Sequence, residues 1–277
     1  VVKNKINIFE MIPEQNSNLF IAINAAILGG EKIMEVYESN FEVEYKTDDS
    51  PLTVADKKAN IIITEKLKST NIAVLSEEGK SIPYAERKSW KNLWIVDPLD
   101  GTKEFVKRNG EFTVNIALIE NNFPVLGVIY VPVSRELYFA AKSEGSFKCL
   151  IPEEFETGNL DEILKASSKL SSVPQPEVCR IVASRSHMSV DTERYIELKR
   201  ERYSTVELVS KGSSLKFCLI AENLADVYPR YAPTMEWDTA AGQIIVEEVG
   251  KTLVDLNTGQ RMRYNREELL NNWFLVE

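Results

Sequence analysis

The residues best placed to do chemistry are carboxylates standing where apolar runs end. Trp94-Ile95-Val96 leads into Asp97-Pro98-Leu99-Asp100-Gly101-Thr102. Pro98 has no N–H to give a sheet ladder, so a strand is expected to stop there. If the chain turns into a helix after Gly101, Asp97 and Asp100 converge on one point, and Gly101 lets a backbone approach closely. The amides of Gly101 and Thr102 would then cradle a phosphate, beside two carboxylates able to hold a metal. The plain alternative is a strand followed by a tight turn, since Asp-Gly is a common turn pair.

Other acids share this placement. Glu77, in Ser76-Glu77-Glu78-Gly79, follows the short apolar run 72–75. Asp238, in Glu236-Trp237-Asp238, opens an apolar-periodic helix, and Asp56 opens an earlier one. Taken singly, each can be a solvated acid or one that favours the positive end of a helix dipole. Their joint occurrence at element boundaries argues for a site, in a chain whose one histidine is His187. Zinc hydrolases and histidine-dependent triads usually need more imidazole than that. The three cysteines, Cys149, Cys179 and Cys218, make no Cys-x-x-Cys pattern. They are expected to be small buried hydrophobes in a reducing compartment rather than a disulfide framework. A catalytic metal must therefore be held by oxygen, which selects a hard cation such as Mg²⁺.

The elements that must position these acids follow from periodicity. Apolar residues recur near a 3.6 period over 19–37, and again at Ala55, Ala59, Ile62, Ile63 and Leu67, predicting two helices. Segments 72–75, 93–96, 112–119, 125–131 and 136–140 predict a mostly antiparallel sheet. Segment 148–175 is polar and reads as a connection. Beyond it, extended segments at 178–183, 205–209 and 225–228 alternate with helices at 191–200, 214–221 and 239–249, the last closed by Gly250. The expectation is a layered α+β structure in two lobes: 1–150 with most of the acids, 176–277 with Asp238, and 151–175 between them.

Composition sets limits on this reading. The chain has 277 residues, 44% of them hydrophobic, enough for a sizeable core. The net charge of −9, with acids and bases interleaved, argues against a nucleic-acid partner. A bound cation would still let an acidic protein take an anionic substrate. The longest apolar stretch, 19–28, is interrupted by Asn24 and is far short of the roughly 20 residues a membrane span needs. Residues 1–10 lack the basic and apolar regions of a secretion signal, although a chain that begins with Val leaves an upstream segment open. The expected location is the cytoplasm, free or at the membrane periphery, with the oligomeric state open.

The motifs resemble those of the lithium-sensitive, Mg²⁺-dependent phosphatase superfamily that includes inositol monophosphatase and fructose-1,6-bisphosphatase. Its two signatures stand here as WIVDPLDGT at 94–102 and WDTAAG at 237–242. The likeness is closer to the bacterial CysQ branch, the 3'(2'),5'-bisphosphate nucleotidases. It runs through 96–120, DDSPLTVAD at 48–56, LSEE at 75–78, SRSH at 184–187, GSSLKFC at 212–218 and 228–242. It covers nearly the whole chain; segment 148–175 looks longer than is usual in this branch.

The resemblance implies the αβαβα sugar-phosphatase fold. It implies on the order of two or three Mg²⁺ ions held by Glu77, Asp97, Asp100, the Leu99 carbonyl and Asp238. Gly101 and Thr102 would contact phosphate. Asp56 and Thr102 would orient and deprotonate the attacking water, assisted by Glu78. Ser184, His187, Gly212 and Lys216 would face a nucleotide, Lys216 pairing with its second phosphate. The expected reaction is direct hydrolysis of adenosine 3',5'-bisphosphate to AMP and phosphate, with the sulfated nucleotide as a further substrate, in sulfur metabolism. The alternatives are an inositol or other sugar monophosphatase, and a non-catalytic metabolite sensor that keeps the fold.

Overall fold

A computed structural model describes residues 13–39, 43–45, 51–153, 160–173, 177–183 and 188–277. In the first half, helix α1 (Pro13–Tyr37) is followed by the short strands β1 (Val43–Tyr45) and β2 (Pro51–Thr53) and by α2 (Val54–Lys68). Then come β3 (Ala73–Ser76), α3 (Tyr84–Arg87), β4 (Asn92–Asp100), α4 (Thr102–Val106), β5 (Thr113–Glu120), β6 (Phe123–Val131), β7 (Glu136–Ala141) and β8 (Gly145–Leu150). The second half contains α5 (Leu160–Ala166), β9 (Ser168–Lys169), β10 (Val178–Val182), α6 (Val190–Arg200), β11 (Thr205–Val209) and α7 (Leu215–Ala221). It ends with β12 (Tyr228–Arg230), α8 (Glu236–Glu247), β13 (Leu253–Asp255), β14 (Gln260–Arg261) and β15 (Phe274–Val276).

Strands β3 to β9 form one seven-stranded sheet in sequence order. The β3–β4 pair is parallel and the others are antiparallel. Side chains alternate between the two faces of a strand, and that alternation builds two cores. Trp94 and Val96 of β4, Ile116 and Leu118 of β5 and Phe139 of β7 pack with α1 and α2. Leu93, Ile95, Ala117, Ile119 and Tyr138 face the other way, against α7 and α8. Trp94 is fully buried, and its indole N–H reaches Thr70 Oγ1 at 3.0 Å, which satisfies its one polar atom.

The layers continue beyond α7 and α8. Phe274, Val276, Leu253 and Tyr228 of the four-stranded sheet β12-β15-β13-β14 join the same core. The parallel pair β10–β11 continues this layer through the Ile181–Val227 bridge, and its outer face packs against α6 through Cys179, Ile181 and Ile196. Helix, sheet, helix, sheet, helix is the αβαβα sandwich that the family resemblance implies. No helix of the described residues is long and apolar enough to cross a membrane.

Three local expectations are corrected. β4 does not stop at Pro98: the ladder shifts register and resumes with Asp100 opposite Thr113. Segment 148–175 is more than a connection, because it carries α5 and the edge strand β9, which pairs with β8. The strand placed at 225–228 begins at Tyr228, and Val227 makes only an isolated bridge to Ile181.

Candidate active site

The site grows from the irregular end of β4. Asp97 Oδ1 accepts the Leu99 N–H at 3.1 Å, so the carboxylate folds the chain over Pro98 and forces the register shift. Gly101 then adopts φ +92°, a left-handed conformation that L side chains rarely take, and α4 begins. A Cβ on Gly101 would stand 3.1 Å from the Glu111 carbonyl oxygen, and one on Gly212 would stand 2.9 Å from the same atom. The two glycines thus let the 101 turn and the 212 loop close on each other.

Asp97, Asp100 and Asp238 each offer a carboxylate oxygen within 4.8 Å of the others. Asp97 is only 1% exposed, whereas Asp100 and Asp238 are half-buried. Asp238 arrives from the other half of the chain, in the first turn of α8. One of its oxygens, Oδ2, accepts the Met235 N–H at 2.7 Å.

Glu77 follows β3, and its N–H extends the parallel pairing to the Val96 carbonyl at 3.1 Å. Asn60 of α2 holds the same turn, accepting from Ser76 Oγ at 2.7 Å and donating to the Glu78 carbonyl at 3.4 Å. Asp56 is buried in the first turn of α2. Burial holds the Asp97 carboxyl well above its usual range, and the charges of Glu77, Asp100, Asp238 and Asp56 push it further. Asp238 is pushed up to about 8, first by burial and then by Asp100; the Met235 N–H opposes this.

Crowded carboxylates whose protons are hard to lose are a donor set short of positive charge. All three of the clustered donors are oxygen, with no thiol or imidazole among them, which fits a hard divalent cation. The same acids can therefore hold a metal.

A cavity of about 570 Å³ opens beside the acids, and Asp100, Gly101 and Asp238 line it. Gly212, Lys216 and Arg230 lie on its lining as well. Lys216 is 9% exposed. Its Nζ donates to the Ser213 carbonyl at 2.6 Å and stands 5.8 Å from the Tyr228 ring centroid. Burial lowers its pKa to about 8, against the pull of Asp100. The Thr102 hydroxyl donates to the Leu99 carbonyl at 3.4 Å. Ser184 and His187 lie outside the described residues.

Sequence reasoning passed over Ser214, Asn115 and Arg230. Ser214 Oγ bonds Asp100 Oδ2 at 2.7 Å and accepts from Asn115 Nδ2 at 2.9 Å. The signal for Asn115 was available: it is a lone amide in the apolar run of β5, where an unpaired polar group is costly. Arg230 gives no such signal, because only the fold of β12 brings it to the cavity.

Acids from both halves of the chain, gathered beside a polar cavity in a five-layer α+β frame, make an all-oxygen donor set that could hold a metal ion. The inositol monophosphatase family model matches residues 14–276, and the chain belongs to that family, whose members are metal-dependent. A relative from Salmonella typhimurium, 3'(2'),5'-bisphosphate nucleotidase CysQ, is 42% identical over 89% of this chain and 94% of its own. The CysQ protein of Escherichia coli K12 is 40% identical over the same shares. The crystal structure of CysQ from Bacteroides thetaiotaomicron superposes with a TM-score of 0.86 at 50% identity, covering 95% of this chain and 97% of that one.

Proposed function

We propose that this chain is a Mg²⁺-dependent 3'(2'),5'-bisphosphate nucleotidase that converts adenosine 3',5'-bisphosphate to AMP and inorganic phosphate and also accepts the sulfated nucleotide. The observation that carries this reading is the two-signed cavity. Its lining carries the acids Asp100 and Asp238 together with the cations Lys216 and Arg230. A substrate with one phosphate to cleave beside a metal and a second to be held by a cationic side chain suits that mixed lining. The identity to CysQ proteins over most of the chain supports the same substrate class.

We assign Glu77, Asp97, Asp100, Asp238 and the Leu99 carbonyl to Mg²⁺, and Gly101 and Thr102 to the phosphate. Mg²⁺ held there would offset the phosphate charge and lower the pKa of the attacking water. Asp56 is the carboxylate assigned to the proton of that water, Thr102 orients it, and Glu78 assists. Water adds to phosphorus as the phosphorus–oxygen bond to the nucleoside breaks, and the two products are AMP and phosphate. Lys216 and Gly212 face the retained end of the nucleotide, as would Ser184 and His187. The cytoplasm suits this reaction, since all three cysteines are free and buried.

The test is phosphate release from adenosine 3',5'-bisphosphate and from inositol 1-phosphate, each with and without Mg²⁺. Fast, Mg²⁺-dependent release from the nucleotide alone supports the assignment. Preference for inositol 1-phosphate would keep the metal site and overturn the substrate.

A further inference from the structure

Behind Asp238 lies a buried polar network that the proposed reaction does not use. Glu236, the first residue of α8, is 0% exposed. Both of its carboxylate oxygens are occupied by one strap of chain. Oε2 accepts the Asn265 N–H at 2.7 Å, and Oε1 accepts the Arg266 N–H at 3.0 Å and Arg266 Nε at 3.1 Å. Asn265 has φ +59°, and that kink turns two successive N–H groups toward one carboxylate.

The strap then returns to the entrance of α8. Arg266 Nη2 donates to Asn271 Oδ1 at 2.7 Å, and Asn271 Nδ2 donates to the Met235 carbonyl at 2.6 Å and to Thr239 Oγ1 at 3.0 Å. The Glu236 N–H meets the Leu269 carbonyl at 3.0 Å. Arg87, also buried, locks the strap from outside by donating to Asn265 Oδ1 at 2.9 Å and the Glu267 carbonyl at 2.8 Å. Met235, held in this way, is the residue whose N–H fixes Asp238 Oδ2.

A fully buried carboxylate costs more to desolvate than an apolar side chain of the same volume, so stability alone is a poor reason for Glu236. What an apolar residue lacks is direction: it leaves the strap, and through it Met235, free to shift. Partners outside a ligand set commonly fix ligand orientation in this manner.

We infer that Glu236 is a positioning residue for Asp238, holding the entrance of α8 through the 265–271 strap so that the Asp238 carboxylate stays within 4.8 Å of those of Asp97 and Asp100. This rests on the assignment of Asp238 to the metal. The test follows the rise in Tm with Mg²⁺ concentration, together with the Mg²⁺ dependence of phosphate release. Three variants are compared with wild type: Glu236→Gln, Arg266→Lys and Asp226→Asn. The last breaks the Arg180–Asp226 pair, with bonds of 2.7–2.9 Å on a different face of the fold.

Glu236→Gln is expected to raise the half-saturating Mg²⁺ concentration by about 10-fold or more in both readouts, the usual scale for removing such a partner. Its kcat at saturating Mg²⁺ is largely retained. Arg266→Lys, which cannot reach Glu236 and Asn271 together, shifts the midpoint in the same direction and carries the test if Glu236→Gln does not fold. Asp226→Asn lowers Tm and leaves the midpoint in place. Unchanged midpoints in both strap variants, with Tm lowered as in Asp226→Asn, would make the network merely structural. If Mg²⁺ failed to raise the wild-type Tm at all, the metal assignment itself would fall, and the positioning role with it.

Discussion

Ser214 Oγ lies 2.7 Å from Asp100 Oδ2 and 3.0 Å from the Asp238 carbonyl, so a single buried hydroxyl joins the end of β4 to the first turn of α8. It has one proton, and the shorter contact to the charged oxygen takes it. Asn115 Nδ2 supplies a proton in return at 2.9 Å. Ser214→Ala leaves that amide only its longer, 3.4 Å bond to Asp100 Oδ2, in a site where Ser214 has 2% exposure. The expected loss is about 10–100-fold in kcat/KM or in Mg²⁺ affinity, as for other partners of metal ligands. Steady-state rates across a Mg²⁺ titration check this, and unchanged values would make Ser214 a bystander.

Asp97 makes the opposite kind of prediction, because its neighbours oppose its charge. Burial and four nearby carboxylates all hold its proton on. Asp97→Asn keeps the shape and fixes the uncharged form that these surroundings favour, while removing the anionic form a cation would need. Turnover is expected to vanish and the Mg²⁺-induced rise in Tm to shrink, while the Tm of the metal-free protein is no lower than wild type. Differential scanning calorimetry with and without Mg²⁺ measures both. Near-normal activity would remove Asp97 from the metal site.

The same crowding fixes a pH dependence. Asp238 is raised from 3.8 to about 8, so between those values the folded metal-free chain holds a proton that the unfolded chain has lost. Stability then falls as pH rises through that window. A cation at the acids needs the ionised form, so its binding near neutral pH releases protons and reverses the trend. Tm of the metal-free protein should decline from pH 5 toward pH 8 and recover with Mg²⁺. Calorimetric Mg²⁺ titrations in buffers of different ionisation enthalpy should report the proton release, and Asp238→Asn should reduce it. A flat Tm profile without metal would contradict the raised carboxyls.

Much of this was legible in the residues. The apolar run Leu93–Val96 gave the start of β4, and the acids Asp56, Glu77, Asp97 and Asp238 were visible because each ends an apolar run or opens a periodic one. Pro98 misled, since the missing N–H falls where Asp97 already diverts the ladder through its own bond to Leu99. The polar stretch after β8 hid α5 and β9, because an edge strand with both residues exposed carries no apolar signature. Arg230 and the Glu236 strap could not be seen: their meaning lies in contacts between segments far apart in sequence, such as Arg87 with Asn265. Periodicity reports which face a residue takes, not which distant residue meets it.

Lys216 tests the substrate side of the cavity. A buried ammonium whose pKa is lowered from 10.5 to about 8 opposes folding. The penalty is constant below pH 8, and stability rises between pH 8 and 10.5, where the folded chain has released the proton and the unfolded chain still holds it. Lys216→Met should therefore be at least as stable as wild type at pH 7 and lack the rise above pH 8. If the ammonium holds the retained phosphate, the variant loses roughly 30-fold or more in kcat/KM for adenosine 3',5'-bisphosphate, as expected when one partner of a buried charge pair is truncated at a cost of about 2 kcal/mol. Activity on a monophosphate that leaves this end of the cavity empty should be nearly unaffected. Equal losses on both substrates would instead mean that Lys216 supports the 213 loop through its 2.6 Å bond to the Ser213 carbonyl, and that the second phosphate is held elsewhere.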